Sequence, residues 1–141
     1  HKEGLDIALC RIDHKDLTVT YSGAMLPLYF TQSGQLKEIK STRYPIGGLF
    51  YSQKFFSNTV LKLQKGDMLY FATDGFQDQF GGEENKKFLR KNFRKLLQDI
   101  HHFPAQEQHE RIKSAFEEWK GDNVQTDDVL VLGIRMNKPV T

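Results

Sequence analysis

Two short acidic motifs hold the residues of this sequence best suited to chemistry. Thr73-Asp74-Gly75 directly follows the apolar run Met68 to Ala72, and Gln125-Thr126-Asp127-Asp128 directly precedes a second apolar run, Val129 to Met136. A strand that ends in an acid and a glycine sets a carboxylate at a sheet rim with little bulk beside it, a position that suits a hard cation. If the two strands are neighbours, their carboxylates converge. An oxygen-only donor set of this kind favours Mg²⁺ or Mn²⁺ over zinc, because no Cys or His cluster accompanies it. On the residues alone a second account stays open: Asp is common at strand ends because it bonds to nearby backbone, so Asp74 and Asp127 would be turn formers.

The elements that must position these acids are mostly strands. Leu5 to Ile12 and Leu17 to Tyr21 flank the polar turn Asp13-His14-Lys15-Asp16, which predicts an antiparallel hairpin. Gly23, Pro27 and Gly34 punctuate shorter extended pieces around Leu28-Tyr29-Phe30 and Leu36 to Ile39, and Pro45-Ile46-Gly47-Gly48 reads as a loop. Thr59 to Leu63 and Met68 to Thr73, around Gln64-Lys65-Gly66-Asp67, predict a second hairpin. Val129 to Met136 is nearly unbroken in its apolar character, the pattern of a strand buried on both faces.

Two helices are predicted between these strands. From about Glu84 to Ile100, Leu89, Phe93, Leu96, Leu97 and Ile100 share a face opposite Lys87, Arg90, Lys91, Arg94 and Lys95. From about Ala105 to Trp119, Ile112, Ala115, Phe116 and Trp119 recur at helical spacing, with Gly121 near the end. A strand-rich body with helices inserted before a last strand indicates an α+β domain and not an alternating βαβ fold.

Composition narrows the function classes. The 141 residues, 38% hydrophobic and 12% aromatic, suit one domain with one core spanning residues 1–141. Lys plus Arg number 20 against 18 Asp plus Glu, and a formal charge of +2 does not by itself imply a nucleic-acid or membrane partner. The single cysteine, Cys10, excludes an intrachain disulfide and fits a cytoplasmic setting; it lies in an apolar strand with no group to activate it. No run approaches the ~18 apolar residues of a membrane span. The chain opens on His1 and not Met, which suggests a piece of something longer. The cationic segment from Lys86 to Lys95 reads first as a solvated helix face, and next as a docking surface for an acidic phosphoprotein; no reader motif supports nucleic acid. His101, His102 and His109 lack metalloprotease spacing.

Taken together, Gly4-Leu5-Asp6-Ile7-Ala8-Leu9-Cys10, Tyr21-Ser22-Gly23-Ala24 with Pro27-Leu28, Pro45-Ile46-Gly47, Gly66-Asp67, Thr73-Asp74-Gly75-Phe76 and Gln125-Thr126-Asp127-Asp128 resemble the bacterial PPM-type (protein phosphatase 2C-like) serine/threonine phosphatases. More narrowly they resemble the stage II sporulation protein E-type branch, whose members regulate sigma factors by partner switching. Gln79-Phe80-Gly81-Gly82 and Trp119-Lys120-Gly121 resemble the subgroup in which this domain ends a larger sensor protein.

The resemblance implies a β-sandwich flanked by helices, two Mn²⁺ or Mg²⁺ ions held by carboxylates, and attack of a metal-bound water on phosphorus. It places Asp74 and Asp127 in one metal's sphere, with Asp128 either a ligand or an orienting neighbour. It further implies a phosphorylated, anti-anti-sigma-like substrate, an upstream sensor domain and homodimerisation. Family members also carry, further upstream, an Asp-Gly-type element and a Gly-His-Gly-like loop whose aspartate bridges the metal pair. Neither occurs in this chain. The expectation is therefore a C-terminal portion of the domain, incomplete on its N-terminal side, that binds metal weakly and turns over slowly or not at all. The rival expectation is a non-catalytic phosphoprotein- or partner-binding module.

Overall fold

The computed structural model describes residues 3–48 and 53–138; His1 lies outside them. Two antiparallel sheets face each other. The first has the order β2-β3-β7, built from β2 (Ile7–Asp13), β3 (Thr18–Ala24) and β7 (Thr59–Lys62). The β2–β3 hairpin runs in register from Ile7↔Ala24 to Asp13↔Thr18. Its turn is held by the carboxylates of Asp13 and Asp16, which accept from the backbone N–H groups of Lys15 and Thr18 at 2.9 and 3.0 Å.

The second sheet has the order β11-β8-β4-β5, from β4 (Leu28–Gln32), β5 (Gln35–Ile39), β8 (Met68–Ala72) and β11 (Val131–Arg135). Ser33 and Gly34, at φ 52° and 74°, form the left-handed pair that a tight β4–β5 turn requires. The short β1 (Gly4–Leu5) pairs with β6 (Ile46–Gly47), so the segment around Pro45 is a two-residue strand and not a plain loop.

Alternation explains the layers. Val19 and Tyr21 of β3 point inward and meet Leu28, Phe30 and Leu69 of the second sheet in one core. The opposite faces of β4 and β8 carry Tyr29, Met68 and Tyr70, which pack against Phe76, Phe93, Leu97 and Phe116 from the helical layer. That layer consists of α1 (Gly75–Asp78), α2 (Arg90–Ile100) and α3 (Ala105–Lys120). Between α1 and α2 lies a two-stranded ribbon, β9 (Phe80–Gly81) with β10 (Lys86–Lys87). The α+β sandwich expected from the sequence is the architecture observed.

Three further expectations are corrected. Thr59 to Leu63 and Met68 to Thr73 do not pair with each other: β7 joins β3, whereas β8 lies between β4 and β11 in the other sheet. The connection crosses the sandwich, and Gly66 (φ 95°) donates its N–H to Met136 O at 2.8 Å. The first long helix begins at Arg90 and not near Glu84, because Asn85 and Leu89 adopt φ of 47° and 74° and Lys86–Lys87 pair with β9. The last strand is an edge strand. Leu130 and Leu132 remain 59% and 49% exposed, beside an open apolar groove that includes Cys10, Phe71 and Ile134. An apolar run records what a strand can bury, not how many neighbours it has.

A buried polar network ties the helices to the sheet. Tyr70 Oη donates to Gln108 Oε1 at 2.6 Å, and Gln108 Nε2 donates to the carbonyls of His101 and Phe103 at 2.9 and 2.8 Å. Arg135 donates to the same two carbonyls. Burial pushes the Tyr70 hydroxyl far above its ordinary range, so it stays a donor. Tyr70→Phe leaves the Gln108 oxygen buried and unpaired and is expected to cost about 1–3 kcal/mol. The cost is read as a lower urea midpoint at unchanged slope; an unchanged midpoint would mean that the network contributes nothing.

Candidate metal centre

Each residue of Thr73-Asp74-Gly75-Phe76 has a separate geometric task. β8 and β11 are antiparallel neighbours, with Ala72 opposite Val131, so the end of one and the start of the other share a rim. Thr73 clamps that rim. Its Oγ1 donates to Asp128 O at 2.8 Å and accepts from Leu130 N at 2.9 Å, while Thr73 N donates to Leu130 O at 3.0 Å. Gly75 permits the close approach, since a Cβ there would lie 2.3 Å from Asp128 O. Phe76, 1% exposed, anchors the segment among Phe88, Phe93 and Phe116, each with its ring centroid 5.1 Å away. Asp74 is left at the surface between these constraints.

Asp74 and Asp127, which the sequence places in separate motifs, come within electrostatic reach of each other here. Partial burial, and then the charges of Asp127, Asp78 and Asp6, push the Asp74 carboxyl up from its ordinary value. Asp127 Oδ1 accepts from Asp128 N at 2.7 Å. Asp128 contributes its backbone to the Thr73 clamp, and its side chain is not among the groups acting on Asp74.

Two of these acids carry no role in the sequence reading. Asp78 lies on α1 and pairs with Lys87 at 3.4 Å. Asp6 lines a cleft of about 100 Å³ together with Asp74, Thr73, Gln77 and Arg90. Its signal in the sequence is an acid directly before an apolar alternation, a pattern close to that of the Asp127-Asp128 pair before Val129.

The donor set fits a divalent cation in chemistry. Only oxygen donors gather at this rim, and no Lys, Arg or His among the described residues forms an ion pair with Asp6, Asp74, Asp127 or Asp128. Mutually repelling carboxylates that no ion pair neutralises are what a hard cation relieves. The set is also sparse: among the described residues no three His, Cys, Asp or Glu side chains group tightly enough to hold an ion by themselves.

The other candidates take simpler places. Cys10 is half-buried, and burial pushes its thiol up to about 11, so it stays protonated. Trp119 is a partly buried brace. Its ring lies against Gly82, its carbonyl accepts from Gly82 N at 2.9 Å, and its Nε1 donates to Gln79 O at 2.9 Å. The basic segment is largely spent locally: Lys86 pairs with Glu84, Lys87 with Asp78, Lys95 with Asp99, and Arg90 and Arg94 both with Glu38. His101 is half-buried, and burial lowers its pKa.

This architecture is that of the PP2C-type phosphatase domains. Residues 3–137 match the model of the stage II sporulation protein E (SpoIIE) family, and the chain belongs to that family. No curated protein matches it in sequence. Among solved structures it is similar to the SiaA-PP2C domain of Pseudomonas aeruginosa, with 31% identity and a TM-score of 0.83, covering 94% of this chain and 51% of that one. It shares the fold of the SpoIIE phosphatase domain from Bacillus subtilis, at 14% identity and TM-score 0.70, covering 96% and 60%. It also shares the fold of the RsbU and RsbW domains of Rv1364c from Mycobacterium tuberculosis, at 20% identity and TM-score 0.69, covering 96% and 37%. The chain thus spans about half the length of the SiaA domain and about three-fifths of the SpoIIE domain. No helix among the described residues is long and apolar enough to cross a membrane.

Proposed function

We propose that this chain is the C-terminal portion of a PPM-type phosphatase domain, and that it takes part in dephosphorylating serine or threonine on a regulatory protein in bacterial signalling. The observation that carries the reading is the rim itself, where the Thr73 clamp joins two separate acidic motifs and leaves Asp74 and Asp127 without an ion-pair partner among the described residues. Asp74 and Asp127 would hold one Mn²⁺ or Mg²⁺ of a two-ion centre, with Asp128 as a further ligand or an orienting neighbour. A divalent ion in that place lowers the pKa of water toward neutrality and offsets charge on the phosphoryl oxygens. The chain's own part is to hold the two carboxylates in register through Thr73 and to leave a cleft, lined by Asp6, Gln77 and Arg90, beside them. The natural partner is a phosphorylated protein of the anti-anti-sigma kind, in the cytoplasm. An upstream sensor domain in the same chain and a homodimer complete the proposal.

The sparse carboxylate set favours a second reading, a non-catalytic module that binds a phosphoprotein. One assay separates the two: Mn²⁺-dependent hydrolysis of an aryl phosphate by this chain, beside Asp127→Asn. Turnover lost in the variant is the expected result if these residues suffice. Turnover that survives Asp127→Asn sinks the ligand assignment. No turnover in either chain calls for the same pair joined to the upstream segment, where activity marks an enzyme and continued silence marks a binding module.

A further inference from the structure

A second cavity adjoins the acidic cleft and has the opposite character. It measures about 290 Å³, and its charged lining is Lys40, Arg43 and Arg90, interleaved with the hydroxyls of Ser41 and Thr42; no acid lines it. Met25, Pro27 and Arg90 belong to both cavities, so they form a shared wall between a carboxylate rim and a cationic one.

The cavity is built on fixed backbone. Met25 N donates to Thr42 O at 3.2 Å, Thr42 N donates to Gly23 O at 3.1 Å, and Thr42 Oγ1 donates to Tyr44 O at 2.8 Å. Met25 holds the left-handed conformation at φ 67°. Arg90 is fixed by Glu38, whose side chain is only 7% exposed and also takes Arg94 at 3.3 Å. One carboxylate shared by two arginines leaves positive charge over. Lys40 and Arg43 are exposed and form no ion pair among the described residues.

We propose that the Lys40–Arg43–Arg90 cavity receives an acidic segment of the phosphoprotein substrate, lying beside the phosphorylated residue. This rests on the phosphatase reading for what occupies the neighbouring cleft. The chemistry is charge complementarity: a carboxylate side chain meets Lys40 and Arg43, two cations with no ion pair among the described residues, while the phosphoryl group lies across the shared wall. An extended chain advances ~3.3 Å per residue, so neighbouring residues of one peptide can enter adjoining cavities. Among the described residues Lys40 and Arg43 lack ion-pair partners, whereas on α2 Arg90, Arg94 and Lys95 are paired and Lys91 alone is not.

The test is fluorescence anisotropy with a labelled phosphoserine peptide flanked by three aspartates, beside the same peptide with asparagines. At low salt the aspartate peptide is expected to bind about five- to tenfold more tightly, and the advantage is expected to shrink as ionic strength rises. Lys40→Glu with Arg43→Glu is expected to erase the advantage; Lys86→Glu with Lys91→Glu, which changes charge elsewhere, is expected to preserve it. Equal binding of the two peptides by the unaltered protein overturns the proposal and needs no variant. An advantage that survives Lys40→Glu with Arg43→Glu, or falls equally in the other pair, also overturns it, as does failure of both peptides to bind. Aryl phosphate turnover, which has no flanking residues to read, is followed in parallel. Turnover without acidic preference defeats the docking site alone, and acidic preference without turnover defeats catalysis alone.

Discussion

Asp74→Asn is expected to abolish stabilisation of the fold by Mn²⁺ while leaving the ion-free fold as stable as before, or slightly more so. Asp74 takes up a proton more readily in the folded chain than its ordinary value of 3.8, because of partial burial and the charges of Asp127, Asp78 and Asp6. A raised folded pKa means that the folded state binds the proton more tightly than the unfolded one. That contribution to stability is complete below the ordinary value and is lost as pH rises through the raised one. Near neutral pH without an ion, the Asp74 charge therefore opposes folding, and Asn removes the repulsion at nearly unchanged volume.

The side chain is exposed, so the gain stays within roughly 0.5 kcal/mol. The loss is larger. An ion at 100 times its dissociation constant stabilises a folded chain by about 2.7 kcal/mol, and a carboxylate ligand removed from so sparse a site takes most of that with it. Thermal unfolding with and without Mn²⁺ measures both quantities. An equal Mn²⁺-induced rise in the two proteins would show that the ion binds elsewhere.

Gly75→Ala is expected to cost about 3 kcal/mol and to remove ion binding together with the lost stability. The added Cβ would meet Asp128 O at 2.3 Å, Asp128 C at 2.9 Å and Val129 Cγ2 at 3.1 Å. Two of those atoms are backbone, and they cannot retreat without breaking the Thr73 bonds to Asp128 O and Leu130 N. Relief of the clash therefore separates the two acidic motifs. Gly34→Ala is the matched control. Gly34 has φ 74° with nothing within 4 Å of the new Cβ, so that substitution costs only left-handed backbone strain of about 1 kcal/mol. Urea midpoints for both variants decide the matter. If Gly75→Ala costs no more than Gly34→Ala, the rim is slack and the clamp does not position Asp127.

Local patterns carried much of the architecture. The alternation of Val19 and Tyr21, the polar turn from Asp13 to Asp16 and the 3.6-residue spacing of Ile112, Phe116 and Trp119 each depend on neighbours within a turn or a hairpin. The β2–β3 hairpin and α3 stand close to where those patterns put them. Where the first helix begins was less legible, since the cationic and apolar spacing extends back past Leu89. The helix stops there because Phe88 N donates to Gln79 O and Leu89 N donates to Gln77 O, two bonds to a distant turn that replace helical ones.

The sequence by itself determined that the chain is an α+β domain and that acids stand at the ends of two apolar strands, and left both a hard-cation ligand and a turn former open for those acids. Only the tertiary structure decided that β8 and β11 are neighbours, that β7 leaves β8 for the opposite sheet, that Asp6 joins the rim, and that Glu38 gathers Arg90 and Arg94 beside a second, cationic cavity. The reason is physical. Strand and helix periods are set by side-chain direction along a few residues, whereas sheet partners and converging charges depend on contacts between residues far apart in the chain. Thr73 and Asp128, 55 positions apart, meet only when both apolar strands are buried together.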